Sequence, residues 1–425
     1  MVRADGQDSL ARSLTGGLTI RRVHPDFARW GGWSVAIPLQ SQRNRMSLSR
    51  WAAVAAAFTG LAALTMSTGS SQAAANMDGI RINELQVIAT HNSYHRELSG
   101  AEQRAQMQVD PGADPNLLYS HAPLAQQLEE QEVRSIELDV VPDPEGGLYR
   151  WPLVRKNAGL PPLQDPAWGE PGTKVFHMVD ADYNTTCVQL TECLQQIRGW
   201  SRSNPGHVPL LIMLEFKASE DRFERLGGIE SAPWEESSFR TVEREIRSVF
   251  GARHLITPDD VRRPGLTLEQ SVLKHGWPTV ARSAGKVMFA MDNTNEVRSA
   301  YLAGHPNLEG RVLFTDSAPG TPSAAFMKRN DPLGANAAEI SALVERGYIV
   351  RTRSDVPMGT VLNRDTAMRD AALGSGAQIV STDFPAAGMS ARYDRDFFVS
   401  LPGPSAVRCN PVSAPENCRD GRLER

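Results

Sequence analysis

Short apolar runs recur along the chain, and several of them end in polar side chains. The first four cover residues 85–90, 134–136, 174–176 and 210–214, and four more cover 286–291, 311–315, 348–352 and 378–382. Continuous apolar runs of this length are typical of strands that are buried on both faces of a parallel sheet. The pattern therefore predicts eight buried parallel strands.

Segments with helical periodicity lie between many of these runs. In 123–132, Leu124 and Leu128 are four residues apart, and 188–200 carries Leu190, Leu194 and Ile197 on one face. Similar segments cover 233–250, 266–275, 335–346 and 360–373. Strands that alternate with helices predict an α/β fold, a single (β/α)8 TIM-type barrel. An open doubly wound sheet is the alternative, but no glycine fingerprint follows the first strand, which weakens it.

Two stretches depart from this alternation. Residues 215–286 are long for one crossover, so we expect two helices there and an irregular loop around 257–260. The Pro-rich tail after Phe398 is expected to be irregular.

Residues 46–75 have the order of a secretory signal peptide. A short basic stretch begins at Met46, an apolar Ala-rich run covers 51–66, and the three alanines at 73–75 offer a cleavage site. A membrane anchor is the alternative, but the apolar run is shorter than the ~20 residues that a span needs. We therefore predict an upstream extension at 1–45, a signal peptide at 46–75 and one domain at 76–425 that is secreted or periplasmic.

The charge balance excludes one class of partner. Residues 1–75 carry eight arginines and three aspartates, a net charge of +5; because the whole chain carries −4, the rest carries −9. An acidic domain does not have the profile of a nucleic-acid binder, nor that of a protein that adheres strongly to anionic membranes. We expect a monomer that contacts a membrane surface only transiently.

Four cysteines lie in the predicted exported part, and they allow three pairings. An oxidising compartment favours disulfides over thiols. The local pairing, which closes two short loops, is preferred: Cys187 with Cys193 and Cys409 with Cys418. Neither pair has the spacing of zinc ligands, so a structural metal is not expected there.

Oxygen donors stand at the ends of three predicted strands: Asn92, Glu137, Asp139 and Glu215. If these strands are neighbours, the side chains converge at the carboxyl edge of the barrel, where such folds place their chemistry. Three carboxylates packed together repel one another, and a divalent cation relieves that cost. Oxygen-only sites suit Ca²⁺, with Mg²⁺ as the alternative. The competing interpretation is that basic side chains neutralise them, as Lys217 could neutralise Glu215.

Two histidines, His91 and His177, also end predicted strands. Imidazoles on opposite sides of a phosphodiester could stabilise it and protonate it in turn. Ordinary core or loop histidines are the alternative, which we keep for His95 and His121. Arg351 and Arg353 flank the end of the seventh predicted strand, where they could contact a phosphate or form ion pairs.

The order and type of these residues resemble those of the phosphoinositide-specific phospholipases C. Residues 84–94 are similar to the opening strand of that superfamily, and 123–128 and 134–139 to its next helix and second strand. Phe176-His177 matches its second histidine, and 211–215 its fourth-strand carboxylate. Residues 378–385 fit the closing strand. The nearest subgroup comprises the exported, calcium-dependent, C1-like phospholipases of bacteria and fungi.

This resemblance implies a PLC-like phosphodiesterase barrel that acts on phosphatidylinositol. It implies Ca²⁺ held by Asn92, Glu137, Asp139 and Glu215, with the two histidines beside the phosphate. The inositol 2-hydroxyl would attack phosphorus, His177 would protonate the diacylglycerol oxygen, and His91 would donate a hydrogen bond to the phosphoryl group. The base would be Glu137 or Glu215. Weaker candidates for phosphate contacts are Lys217, Arg351 and Arg353.

Three other functions remain open. A glycerophosphodiester-type phosphodiesterase shares the barrel, and Glu215-Phe216-Lys217 matches its Glu-x-Lys, although Asn92 stands where that family usually has Arg. A non-catalytic module could keep the calcium site for structure. A glycosidase would use paired carboxylates, but the two histidines argue against it.

Overall fold

The computed structural model describes residues 79–113 and 115–424. The predicted extension at 1–45 and signal peptide at 46–75 lie outside these residues. Within them, no helix is both long enough and apolar enough to cross a bilayer.

One sheet contains all the strands of the described residues: β1 Leu85–Thr90, β2 Ser135–Asp143, β3 Gly172–Val175, β4 Leu210–Phe216, β5 Leu255–Ile256, β6 Val287–Met291, β7 Leu313–Asp316, β8 Ala324–Lys328, β9 Ile349–Arg353, β10 Ile379–Thr382 and β11 Val407–Cys409. Eight of them form a ring of parallel pairs, in the order β1, β2, β4, β6, β7, β8, β9, β10, and the short β5 pairs in parallel with β6 outside this ring. Because β1 pairs with both β2 and β10, the ring is closed. The predicted TIM-type barrel is confirmed.

Helices alternate with most of the ring strands. Their bounds are α1 Gly100–Val109, α2 Leu124–Glu130, α3 Leu153–Asn157, α4 Leu190–Ser203, α5 Asp221–Glu224, α6 Glu236–Val249, α7 Pro258–Val261, α8 Leu268–His275, α9 Val280–Ser283, α10 Glu296–Leu302, α11 Ala335–Glu345, α12 Pro357–Asn363 and α13 Ala367–Gly374. The long amphipathic members, such as α4 and α6, bury one apolar face against the barrel and leave the opposite face to solvent.

The assignment of residues 174–176 to a parallel strand was wrong. Strand β3 runs antiparallel to β2 and lies outside the ring, where Val175 pairs with Val140. This happens because β2 continues past the ring, and β3 folds back onto that extension. The eighth ring strand is instead β8, which the apolar pattern missed. Its sequence lacks β-branched residues, and the loop 317–323 precedes it where a helix would be expected.

Two predicted connections also differ. Residues 360–373 are divided between α12 and α13, because Arg364 adopts a left-handed conformation (φ 55°) and Asp365 accepts a hydrogen bond from the backbone N–H of Ala367 at 2.8 Å. The crossover 215–286 holds five helices, not two. Thr257 and Asp260 cap the start of α7 reciprocally, so the irregular loop expected around 257–260 is helical.

The C-terminal tail of the domain pairs with the first strand. Strand β11 pairs antiparallel with β1, so that the tail after Phe398 is not entirely irregular. Both predicted disulfides are present, Cys187–Cys193 and Cys409–Cys418. Lys286 lies just before β6, at the amino end of the barrel, and therefore away from the carboxyl edge.

Candidate active site and metal centre

The predicted polar side chains meet at the carboxyl edge of the ring. His91 and Asn92 follow β1, while Glu137 and Asp139 lie on the adjacent strand β2. In the parallel register, Asp139 stands beside Glu215 of β4. The turn after β1 is tied to β2 by a hydrogen bond from the Ser93 N–H to the Glu137 carbonyl at 2.9 Å. Pairing between neighbouring strands of the ring therefore brings together residues that are more than a hundred positions apart in the sequence.

Three carboxylates form the centre of this cluster. One oxygen from each of Glu137, Glu215 and Asp292 lies within 4.8 Å of the other two. Asp292 directly follows β6, and its backbone N–H donates to the Leu214 carbonyl at 2.8 Å. Sequence analysis missed Asp292, although the signal was available: it ends an apolar run, as the other candidates do.

Asn92 and Asp139 provide the test of whether a cation fits. Among the described residues, buried Asn92 has no hydrogen-bond partner for its side-chain oxygen or nitrogen, and Asp139 Oδ1 has none either. Unpaired buried polar atoms are costly, and most proteins avoid them. A hard cation satisfies such oxygens, and every donor in the cluster is an oxygen. The residues therefore fit Ca²⁺.

Basic side chains also approach the carboxylates. Lys217 Nζ lies 2.8 Å from Glu215 Oε1 and 3.2 Å from Asp139 Oδ2. Arg351 Nη2 lies 2.5 Å from Glu137 Oε2, and Lys328 pairs with Asp292. The ion pairs expected under the competing interpretation are therefore present, but they leave other polar atoms of the cluster unpaired.

The pKa values of the carboxyl groups differ because their surroundings differ. Burial raises the pKa of Asp139 well above its usual value, although Lys217 opposes the shift. Burial likewise raises the pKa of Glu137 to about 7, against the opposing charge of Arg351. Burial acts in the same direction on Glu215, but there Lys217 prevails and lowers the pKa of the carboxyl. The protein alone therefore does not hold all these groups in the charged form.

His91 forms a pair with Asp383, which directly follows β10. His91 Nδ1 lies 2.9 Å from Asp383 Oδ1, and its Nε2 lies 3.8 Å from Glu137 Oε1. Burial and the neighbouring Arg353 lower the pKa of His91 to about 3, so the ring is neutral. Burial would raise the pKa of Asp383, but His91 and Arg353 hold it well below its usual range. The pair is a neutral imidazole oriented by a carboxylate.

His177 forms a second, similar pair, with Asp182. It follows β3, and the N–H of Phe176 donates to the Asp139 carbonyl at 3.2 Å, which fixes this segment beside β2. His177 Nδ1 lies 2.9 Å from Asp182 Oδ2. Because β2 also carries Glu137, the contact of Phe176 with β2 places His177 at the same edge as the carboxylate cluster.

The three candidate phosphate residues all lie at this edge but are held by carboxylates. Lys217 bridges Asp139 and Glu215, as described above. Arg351 is buried and also donates to Ser381 Oγ at 3.0 Å. Arg353 donates to Asp383 Oδ2 at 2.7 Å, and its Nη1 lies 3.5 Å from His91 Nε2. Of the three, Arg353 stands closest to a histidine that could border a phosphate.

Sequence reasoning missed the partners of both histidines. Asp383 ends a predicted strand, so its position carried the same signal as Glu215. Asp182 lies in a loop, and no pattern marked it. His95, expected to be an ordinary core or loop histidine, is fully buried and binds Asp182.

Comparison with known proteins gives one family and several distant structures. Residues 80–411 match the model of the family described as "Phosphoinositide phospholipase C, Ca2+-dependent". No curated protein sequence matches significantly.

Among solved structures, the chain is similar to a calcium-dependent phosphoinositol-specific phospholipase C from Pseudomonas sp. The identity is 16%, the match covers 78% of this chain and 96% of that one, and the TM-score is 0.45. The corresponding enzyme from Streptomyces antibioticus is 17% identical, with coverage of 72% and 96% and a TM-score of 0.45.

Proposed function

This chain belongs to the family of Ca²⁺-dependent phosphoinositide phospholipases C, and we propose that it cleaves phosphatidylinositol by attack of the inositol 2-hydroxyl on phosphorus. The products are a cyclic inositol phosphate and diacylglycerol. One observation carries the proposal: two histidines, each oriented by a carboxylate, border a buried cluster of oxygen donors that includes the unpaired side chain of Asn92 and the unpaired Oδ1 of Asp139.

The residues proposed to hold Ca²⁺ are those expected from the sequence, with one addition: Asn92, Glu137, Asp139, Glu215 and Asp292. Bound there, the cation would lower the pKa of the attacking hydroxyl and offset the charge that builds on the phosphoryl oxygens. Mg²⁺ is the alternative, but it prefers fewer protein ligands and stricter geometry than this crowded donor set offers.

The geometry changes the role proposed for His91. Asp383 accepts a hydrogen bond from Nδ1–H, which leaves a lone pair on Nε2 of the neutral ring. Such a nitrogen accepts a proton and cannot donate one to a phosphoryl oxygen. We therefore propose His91, with Glu137 and Glu215 as the earlier candidates, as the base that takes the proton of the 2-hydroxyl.

His177 is proposed to protonate the leaving diacylglycerol oxygen. Asp182 orients its Nδ1–H, so that Nε2 is directed away from the carboxylate and can carry the proton to be transferred. Arg353, which lies 3.5 Å from His91 Nε2, is the best placed of the basic residues to contact the phosphate. Lys217 and Arg351 remain weaker candidates for a contact with the phosphate.

A lipid substrate requires contact with a membrane surface. Several exposed apolar side chains lie in connections that follow the carboxyl ends of ring strands: Leu148, Trp151, Leu226, Leu333 and Val356. These side chains support the proposal that this edge of the barrel touches the bilayer transiently. The two disulfides support export to an oxidising compartment, secreted or periplasmic.

The products test the proposal. Residues 76–425 are incubated with phosphatidylinositol vesicles, with Ca²⁺ or with excess chelator, and the products are followed by ³¹P NMR. We expect the cyclic inositol phosphate signal with Ca²⁺ and no turnover with chelator. A panel containing glycerophosphodiesters serves as the comparison. Release of glycerol phosphate without any cyclic inositol phosphate would contradict the proposal, and full activity in chelator would contradict the metal assignment.

A further inference from the structure

A single carboxylate connects two histidines at the His177 side of the site. His95 Nε2 lies 2.9 Å from Asp182 Oδ2 and 3.2 Å from Oδ1, while His177 Nδ1 lies 2.9 Å from the same Oδ2. Asp182 and His95 are both buried, with His95 fully inaccessible to solvent. His95 therefore cannot reach the substrate, but it touches the residue that orients His177.

The backbone holds His95 rigidly. Its N–H donates to the Asn92 carbonyl at 2.8 Å, and its carbonyl accepts from the His121 N–H at 2.9 Å. Its ring packs against Tyr119 with centroids 4.6 Å apart. Because the segment 91–95 also carries His91 and Asn92, His95 fastens the loop of Asp182 to the segment that carries the other half of the site.

Asp182 depends on this contact. Burial would raise the pKa of Asp182, but the two histidines hold it well below its usual range. Without His95, one side-chain donor would remain for a fully buried carboxylate, which could then rotate or take up a proton. Either change would release His177 Nδ1 and allow the other tautomer.

We propose that His95 is a positioning residue, which fixes Asp182 and thereby keeps the Nε2 of His177 directed at the substrate. This inference rests on the proposed role of His177 as the acid for the leaving group. It does not depend on the charge of His95, because the imidazolium and the Nε2–H tautomer both donate to Asp182.

The consequence is a dependence on the leaving group. Diacylglycerol leaves as an alkoxide that needs a proton, whereas p-nitrophenolate leaves without one. Loss of His95 should therefore slow cleavage of phosphatidylinositol and spare an inositol phosphodiester that carries p-nitrophenol.

The experiment compares variants of residues 76–425 on these two substrates. His95→Phe keeps the ring shape and removes the donor, and His95→Asn removes it with a shorter polar side chain. His95→Gln places an amide N–H near the position of Nε2. We expect the first two to lower kcat on phosphatidylinositol by about 10- to 100-fold, with KM unchanged and the p-nitrophenyl substrate cleaved within about threefold of wild type, and His95→Gln to recover most of the loss.

The matched control is His207→Phe. His207 is equally buried, but it bonds to Ser201 Oγ and the Val208 carbonyl before the start of β4, at the opposite end of the barrel. Any loss in this variant should be the same on both substrates. Equal losses on the two substrates in His95→Phe and His95→Asn would overturn the proposal, as would failure of His95→Gln to recover more than they do.

A second measurement does not require turnover. The ring ¹⁵N shifts of His177 are recorded at alkaline pH, where the ring has lost the Nε2 proton that it transfers as the acid. The tautomer of this neutral ring is expected to be Nδ1–H in the wild type and mixed in His95→Asn. An unchanged tautomer would overturn the role of His95 whatever the activity. If the wild type shows the expected tautomer but produces no cyclic inositol phosphate, the proposed function fails and the positioning role stands.

Discussion

The two histidines of the site are supported in different ways. His91 and its partner Asp383 both end strands of the closed ring, on neighbours β1 and β10. His177 follows an antiparallel strand outside the ring, and its partner lies in a loop that a third residue, His95, holds in place. The regular barrel fixes the first pair, whereas the second pair depends on side-chain contacts. This difference suggests distinct responses to mutation.

The largest expected effect falls on the carboxylates between the two pairs. Glu137→Gln should weaken Ca²⁺ binding by more than about 100-fold, because it removes a charged oxygen donor at the centre of the cluster, and the rate should fall with it. Isothermal titration calorimetry with Ca²⁺ alone measures the binding without turnover. Glu345→Gln, at an exposed position of α11, is the control.

An unchanged calcium titration in Glu137→Gln would remove this residue from the ligand set. Asp292→Asn separates the two descriptions of the cluster. If Asp292 is a ligand, calcium affinity should fall. If it only pairs with Lys328, the affinity should stay close to that of the wild type.

The next effect distinguishes the two histidines directly. His91→Ala and His177→Ala should each lower kcat on phosphatidylinositol by about 10²–10⁴-fold and leave substrate binding intact. On the p-nitrophenyl substrate, the kcat of His177→Ala should be close to that of the wild type, because that leaving group needs no proton. The kcat of His91→Ala should remain low on both substrates. Turnover of both substrates is measured in steady state. If His91→Ala, and not His177→Ala, cleaves the p-nitrophenyl substrate at nearly the wild-type rate, then His91 is the acid and His177 the base.

The sequence pattern marks more of the residues around His91 than of those around His177. Strand ends carry a local signal, a polar residue that closes an apolar run, and this signal made His91, Glu137 and Glu215 candidates. The same signal was present at Asp292 and Asp383 but was not used. Asp182 and His95 could not be found this way, because their pairing depends on how two loops pack and not on the period of any strand.

The direction of β3 was also beyond the pattern. A run of three apolar residues fits a parallel or an antiparallel strand equally well, and only its pairing with the extension of β2 decides between them. His177 still lies at the carboxyl edge. The extension of β2 projects past the end of the ring, and β3 runs back along it toward that edge. The structure therefore places His177 at this edge although its strand is antiparallel and not parallel.

The smallest expected effect concerns the membrane, and it again separates the two sides. Trp151 lies in the connection between β2 and β3, on the His177 side, and is 45% exposed. Val356 follows β9, on the His91 side, and is 42% exposed. Because an aromatic ring at a bilayer interface offers more apolar area than valine, Trp151→Ala should weaken vesicle binding by about three- to tenfold and Val356→Ala by less. Sedimentation with phosphatidylinositol vesicles measures both. Cleavage of the soluble p-nitrophenyl substrate should stay unchanged in each variant, since neither side chain touches the carboxylate cluster, and a larger effect of Val356→Ala would place the main membrane contact on the His91 side.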